Sequence, residues 1–229
     1  MNERADFSAP IAATLASQAY ERLRRDIITA KLLPGHKLHI AQLCESYGIG
    51  LSPVREALNR LSRDGLAHQT DQRGFRVAPI SVAHLEELTR TRCWLNEIGL
   101  RESIAHGDEA WEENVLLAYH RLSRLDQQAQ DSTLRDPACE EAHRKFHTSL
   151  IAGCRSQWLL GYCEQLFDAA ERYRFLSRDS TPRKTPRNEH KAVMDAAVSR
   201  DADTATRLLT AHLRKTAERV RVRLEAHQD

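Results

Sequence analysis

Hydrophobic residues recur at helical spacing over most of the chain after Ser81. They lie three or four positions apart in long segments with few glycines, which is typical of amphipathic helices. The expected spans are residues 81–106, 107–130, 137–153, 155–177, 187–199 and 202–226, with a linker at 179–186. Six helices without strands indicate an antiparallel all-α bundle, so residues 81–229 are expected to form an all-helical domain.

Before Ser81 the hydrophobic pattern changes to shorter elements. It predicts helices near residues 19–28, 40–47 and 53–63, then two short extended runs on either side of a turn at residues 71–74. Three helices and a two-stranded ribbon make a winged helix-turn-helix. We therefore expect a mostly α chain, with a flexible arm at residues 1–14 and the winged helix at 15–80.

The third of these helices has the features of a DNA-recognition helix. Val54, Leu58 and Leu61 share one face, which leaves polar and basic side chains on the opposite face to contact base edges in a major groove. Arg73, at the tip of the ribbon, is placed to contact a minor groove or a phosphate. An ordinary amphipathic surface helix is the alternative. The candidate DNA-binding residues are Ser52, Arg55, Asn59, Arg63 and Arg73.

Charge is unevenly distributed between the two predicted domains. Residues 1–80 contain 11 Lys and Arg against 8 Asp and Glu, whereas residues 81–229 contain 23 against 24. The N-terminal domain is the basic one, as DNA binding favours. No apolar run is long enough to span a bilayer and no signal peptide is recognisable, so we expect a cytoplasmic protein without a membrane partner. The five cysteines, which include no Cys-x-x-Cys pair, are expected to be buried hydrophobic residues.

Histidines in the second domain suggest a metal site. The apolar patterns of three different helices place four of them inward: His143, His147, His190 and His212. Neutral imidazoles that converge in a core are costly without partners, and a divalent metal removes that cost. The alternative is that the two histidines one turn apart, His143 and His147, are a solvated pair or are satisfied within the core.

Short motifs in both domains resemble a known family. The segments LPG at 33–35, PVREAL at 53–58, DGL at 64–66 and RGFRV at 73–77 resemble the DNA-binding domain of GntR-type bacterial transcription regulators. In that family the arginine matching Arg55 contacts operator bases or phosphates. Leu51 and Ala41 stand where the family often has arginines, so its usual half-site is not transferred to this chain.

The second domain resembles the FCD effector-binding domain of the FadR-type branch. The resemblance lies in AHRKFH at 142–147, NEH at 188–190 and AH at 211–212. It implies that the four histidines bind one metal ion. His143 stands where aspartate is usual, and an all-nitrogen ligand set favours zinc or nickel over manganese.

Two arginines suggest an anionic effector. Arg92 interrupts an apolar stripe, and Arg172 lies at the edge of another, so both are expected to face the bundle interior. A buried guanidinium requires an anion, either a carboxylate effector or a core glutamate such as Glu97 or Glu164. The segments at 152–160 and 166–175 resemble the carbon-starvation-induced repressor branch, which senses dicarboxylates such as glutarate.

Together these features predict a homodimeric, ligand-responsive repressor that binds operator DNA. Its helical domain is expected to bind a divalent metal and a small carboxylate, with a dicarboxylate favoured. Two alternatives remain open. A zincin-type hydrolase needs a glutamate where the chain has Arg144, and a di-iron bundle needs a second Glu-x-x-His besides Glu140–His143. A helical module with a purely structural metal would bind no acid.

Overall fold

A computed structural model describes residues 14–70, 74–128, 137–177 and 187–226. These residues divide into two compact units, one ending at Pro79 and the other beginning at Ile80. Within them, no helix combines the length and the apolar character that crossing a membrane requires. The predicted arm up to residue 13 and the predicted linker at 179–186 lie outside the described residues.

The first unit is a winged helix-turn-helix. Three helices precede a short antiparallel hairpin, as the sequence predicts, but the sheet has a third strand. That strand, Lys37–Leu38, pairs with the second hairpin strand, so the second hairpin strand lies in the middle of the sheet. The predicted two-stranded ribbon is present as this hairpin, and only the third strand was not predicted, because two residues are too few to show the alternation that marks a strand. The elements are α1 (Leu15–Ile28), β1 (Lys37–Leu38), α2 (Ile40–Tyr47), α3 (Leu51–Arg63), β2 (Ala67–Thr70) and β3 (Gly74–Val77).

Local sequence explains the tight turn between α2 and α3. Gly48 ends α2 in the left-handed region at φ 64°, and its amide donates to the carbonyl oxygens of Cys44 and Glu45. Gly50 then precedes the first residue of α3, and Pro53 lies in the first turn, where a missing N–H costs little. Val54, Leu58 and Leu61 pack fully buried on α1, so the opposite face of α3 is left at the surface.

The second unit is the predicted bundle of six helices. In the described residues these helices begin and end within about three residues of the predicted spans, which is the accuracy expected when helix boundaries are predicted from periodicity. A short 3-10 turn at Ala152–Cys154 separates the third helix from the fourth. The helices are α4 (Val82–His106), α5 (Glu109–Gln128), α6 (Pro137–Ile151), α7 (Gln157–Leu176), α8 (Arg187–Val198) and α9 (Ala202–Ala226).

The core of the bundle aligns the helices that carry the candidate metal ligands. Gly99 allows α4 to approach its neighbours closely, since a Cβ there would lie 3.2 Å from Cβ of Ile151 and 3.3 Å from Cδ2 of Leu159. Phe146 and Leu150 fill the centre from α6 with no exposed surface. The inner faces of α6, α8 and α9 therefore meet in a dry interior.

Candidate functional site

Four buried histidines from three helices converge in the second unit. Each offers one ligand atom, and these four atoms lie within 4.8 Å of one another. The exposed fractions of the side chains are only 2–7%. The structure thus brings all four predicted ligands together. They are His143 and His147 on α6, His190 on α8 and His212 on α9.

Spacing and packing explain this convergence. His143 and His147 are one turn apart, so both imidazoles leave the same face of α6, and their Nε2 atoms lie 3.2 Å apart. The ring of His190 lies 4.6 Å from that of His212, measured between centroids. Phe146 and Phe167 also contact the cluster, so its walls are aromatic.

Burial keeps three of these imidazoles, those of His143, His147 and His212, neutral. It lowers the pKa of His143 and His147 well below the usual value, and the positive charge of Arg174 and the neighbouring imidazoles lower it further. Burial also lowers the pKa of His212 to about 4, although Glu189 opposes the shift. A neutral imidazole has one nitrogen lone pair, which is the form that binds a metal.

Glu189 orients the His212 ring. Its Oε2 atom lies 2.9 Å from Nδ1 of His212, and Lys215 binds its other oxygen. Burial alone would raise the pKa of Glu189, but the hydrogen bonds from Lys215 and His212 lower it overall, so the carboxylate is anionic. Nδ1–H of His212 therefore donates to Glu189, which leaves Nε2 as the ligand atom, in the usual carboxylate–histidine–metal arrangement.

Arg174 lies at the other side of the cluster. Its Nη1 atom lies 3.1 Å from Nδ1 of His143 and also contacts Glu171. Glu140 lies 3.9 Å from its Nη2. Arg174 is not among the site residues predicted from the sequence. The signal was available, because Glu171 and Arg174 have the i, i+3 spacing of a helical ion pair on an inward face.

Arg92 reaches the same region from α4, as predicted. Its guanidinium lies 5.6 Å from the centroid of the Phe167 ring, and its Nε is buried without a hydrogen bond to any residue that the structure describes. Burial lowers its pKa to about 10, and the charge of Glu171 opposes the shift. One alternative considered above was an ion pair between Arg92 and Glu97. In the structure Glu97 instead pairs with Arg101, at 3.2 Å.

Arg172 is also buried, with 4% of its surface exposed. Burial lowers its pKa to about 10. Residues two positions apart on a helix point roughly 200° apart, so Arg172 and Arg174 leave α7 in nearly opposite directions. The residue that contacts His143 is Arg174, and an effector-binding role for Arg172 stays a prediction.

The candidate DNA-binding residues lie on the outer face of α3. Ser52, Arg55, Asn59 and Arg63 are all exposed, opposite the buried face. Arg60, at the edge of this face, lies over the Tyr20 ring at 4.2 Å. Arg73 lies outside the described residues. The exposed face has the polar, basic character that reading base edges requires.

Both halves of the chain match known families. Residues 15–77 match the family of bacterial regulatory proteins, gntR family, and residues 87–215 match the FCD domain. An uncharacterized HTH-type transcriptional regulator, BphR of Paraburkholderia xenovorans, is 38% identical to this chain. The match covers 91% of this chain and 86% of BphR. The HTH-type transcriptional repressor GlaR of Escherichia coli is 33% identical, over 85% of this chain and 90% of its own.

Solved structures show the same fold. The E. coli protein McbR/YncC superposes with a TM-score of 0.75 at 18% identity, over 89% of this chain and 95% of its own. A GntR regulator from Rhodococcus sp. RHA1 superposes with a TM-score of 0.71 at 20% identity, over 90% and 96%. These families and relatives are transcription regulators, as predicted, and not enzymes. The chain therefore belongs to the GntR family of bacterial transcription regulators and carries an FCD domain C-terminal to its DNA-binding winged helix.

Proposed function

We propose that this regulator is a repressor that binds operator DNA as a homodimer and releases it when a small carboxylate binds beside a metal ion in the FCD domain. The observation that carries the proposal is the cluster of four buried histidine donors within 4.8 Å of one another. Two arginines, the half-buried Arg92 and the buried Arg174, lie beside it and lower the pKa of His147. The relative GlaR is named a repressor, which supports repression of transcription as the proposed direction of regulation.

The donor set fits a divalent first-row metal. Four neutral imidazoles supply borderline nitrogen ligands, which suit zinc and nickel better than manganese. Glu189 orients one ligand from outside, which is the support that metal-binding histidines ordinarily have. When bound, the ion supplies positive charge and open coordination positions for an anion. We infer that His143, His147, His190 and His212 hold it.

The surrounding charges favour a carboxylate as that anion. Arg92 is half-buried, and its buried Nε has no hydrogen-bond partner in the described part of the chain. Arg174 presents a second guanidinium next to His143. A carboxylate can bind guanidinium groups and a metal together, and a dicarboxylate has one group for each. We keep Arg172 as a third candidate, on its burial alone.

An apolar surface on α4 and α7 supports the homodimer. The two helices lie side by side, as shown by the close approach of Gly99 to Leu159 and the position of Arg92 over the Phe167 ring. Four large hydrophobic residues of these two helices are more than half exposed: Trp94, Ile98, Trp158 and Tyr162, at 57%, 52%, 80% and 53%. A patch of this kind marks an interaction surface, and a two-fold axis would pair it with itself.

Metal content tests the proposed site. The purified protein should contain about one zinc or nickel ion per chain by elemental analysis. His147→Ala should lose it, whereas His120→Ala, which removes an exposed histidine of α5, should keep it. If native protein and protein reconstituted with zinc or nickel both lack metal, the proposed site is wrong.

A further inference from the structure

The hydroxyl group of Tyr173 holds the backbone at the start of α4. Tyr173 lies on α7 and has 1% of its surface exposed. Its hydroxyl accepts from the amide of Ser81 and donates to the carbonyl oxygen of Ser81, each at 3.2 Å. Nδ1 of His84 lies 2.8 Å from the same hydroxyl oxygen. Ser81 is the N-cap of α4, since its side chain accepts from the amide of His84 at 3.1 Å. We call these contacts the Tyr173 clamp.

The clamped residue lies close in sequence to the first unit. The amide of Ala78 donates to the carbonyl oxygen of Leu66 at 3.0 Å, which fixes Ala78 within the first unit. Only Pro79 and Ile80 separate Ala78 from Ser81. The ring of Pro79 fixes its own φ and restricts Ala78 to extended conformations. A connection this short and stiff transmits a displacement of Ser81 along the chain to the first unit.

The same turn of α7 also contacts the histidine cluster. Arg174 follows Tyr173 in the chain, and its Nη1 atom lies 3.1 Å from Nδ1 of His143 on α6. Successive residues of a helix point about 100° apart, so α7 presents Arg174 to α6 and Tyr173 to α4. Tyr173 shares a buried cluster with Leu85 and Leu88 of α4. One turn of α7 thus joins the histidine cluster to the start of α4.

We propose that Tyr173 is the positioning residue that transmits a change at the histidine cluster to the chain between the two units. The inference rests on the proposed function, because it requires a ligand that acts at the cluster. A ligand that draws Arg174 away from His143 shifts the turn of α7 that carries Tyr173 as well. The two contacts with Ser81, at 3.2 Å, are at the long end of the hydrogen-bond range, so a small shift breaks them. The start of α4 is then released, and with it the connection to the DNA-binding unit.

The competing explanation is that the Tyr173 clamp only stabilises the bundle. Burial raises the pKa of Tyr173, so the hydroxyl keeps its proton and can satisfy both backbone groups of Ser81. A purely stabilising hydroxyl slows opening of the start of α4 to the same degree with and without a ligand at the cluster. A coupling hydroxyl makes this opening depend on the ligand. The two explanations therefore differ in ligand dependence and not in stability.

Hydrogen–deuterium exchange of the full-length protein measures this dependence. Zinc alone is the probe, and the readout is amide exchange in residues 80–88 with zinc or with chelator. A cation at the cluster repels the guanidinium of Arg174, so zinc should speed exchange of this segment in the wild type by about fivefold or more, the lower end of allosteric couplings. In Tyr173→Phe the rates with zinc and with chelator should be equal. Tyr119→Phe removes the hydroxyl of a half-buried tyrosine on α5 and, as matched control, should behave as the wild type.

A second variant and the metal content make the test decisive. Arg174→Gln cuts the other end of the path and should also lose the zinc dependence, so the test holds even where Tyr173→Phe does not fold. Thermal melts check folding, and elemental analysis should find equal zinc in all four proteins. If the wild type binds zinc but its residues 80–88 exchange alike with zinc and with chelator, the proposal is overturned while the metal site stands. A zinc-dependent difference that persists in a folded Tyr173→Phe overturns it as well. A wild type that binds no zinc overturns the proposed metal site, and this inference with it.

Discussion

Arg174 and His143 are joined by a contact of 3.1 Å between Nη1 and Nδ1. A guanidinium only donates, so Nδ1 of His143 accepts, and the neutral ring carries its proton on Nε2. That nitrogen lies 3.2 Å from Nε2 of His147, in the middle of the cluster. A metal ion bound at Nε2 of His143 needs the proton on Nδ1 instead. Arg174 and such an ion therefore favour different tautomers of His143.

Removing Arg174 should strengthen metal binding. In Arg174→Gln the amide oxygen can accept from Nδ1–H, and a positive charge near the ion is gone. We expect metal affinity to rise by about tenfold, the scale of outer-ligand effects. Competition with a coloured chelator measures it, with Arg101→Gln, a change at a half-buried arginine of α4, as control. Weaker binding in Arg174→Gln would contradict the tautomer argument.

The metal-free protein should lose stability as the pH falls. A histidine with a lower pKa in the folded than in the unfolded state binds fewer protons when folded, so stability falls below about pH 6.5. The pKa of His212, at about 4, makes this loss roughly 3 kcal/mol near pH 4, and His143 and His147 act in the same direction.

Urea unfolding of chelator-treated protein at pH 7.5, 6 and 5 measures the effect. The pKa of Glu189 is lowered in the folded protein, so this residue adds to the loss of stability only at a pH below the ordinary pKa range of glutamate. A free energy of unfolding that stays constant between pH 7.5 and 5 would show that the histidines are not held neutral by burial.

DNA recognition should depend on α3. Arg55 is exposed on its outer face and has no ion pair or hydrogen bond with the residues described. Arg55→Ala should weaken binding to a DNA duplex that the protein selects from a random pool, called the selected duplex, by about 1–3 kcal/mol, the size of a lost base contact. Unrelated DNA should be affected less. Equal affinity of Arg55→Ala and wild type for the selected duplex would remove α3 as the recognition helix.

The apolar surface of α4 and α7 should hold the dimer together. Trp158 is 80% exposed, so Trp158→Asp leaves the fold intact but places a charge in the proposed interface. We expect this variant to sediment as a monomer at micromolar concentration, where we expect the wild type to sediment as a dimer. Leu33→Asp, a change at a 53% exposed leucine of the first unit, is the control. A dimeric Trp158→Asp would place the interface elsewhere.

Periodic features were predictable from the sequence, and tertiary pairings were not. Val54, Leu58 and Leu61 revealed α3 because a buried helical face repeats every three or four residues. The four histidines were found the same way, since each continues an apolar stripe. By contrast, β1 has only two residues, and the contact of Arg174 with His143 joins two different helices, α7 and α6. Such contacts depend on how helices distant in sequence pack.

The most direct test of the account measures release of DNA by small acids. Fluorescence anisotropy with the selected duplex is followed while C2 to C6 mono- and dicarboxylates, glutarate included, are added to three proteins. These are metal-loaded wild type, chelator-stripped wild type and His147→Ala. We predict that at least one acid weakens DNA binding by about 5–150-fold in the metal-loaded protein and has little effect on the other two. An acid that acts equally on all three, or the absence of any active acid, would contradict metal-dependent control by a carboxylate.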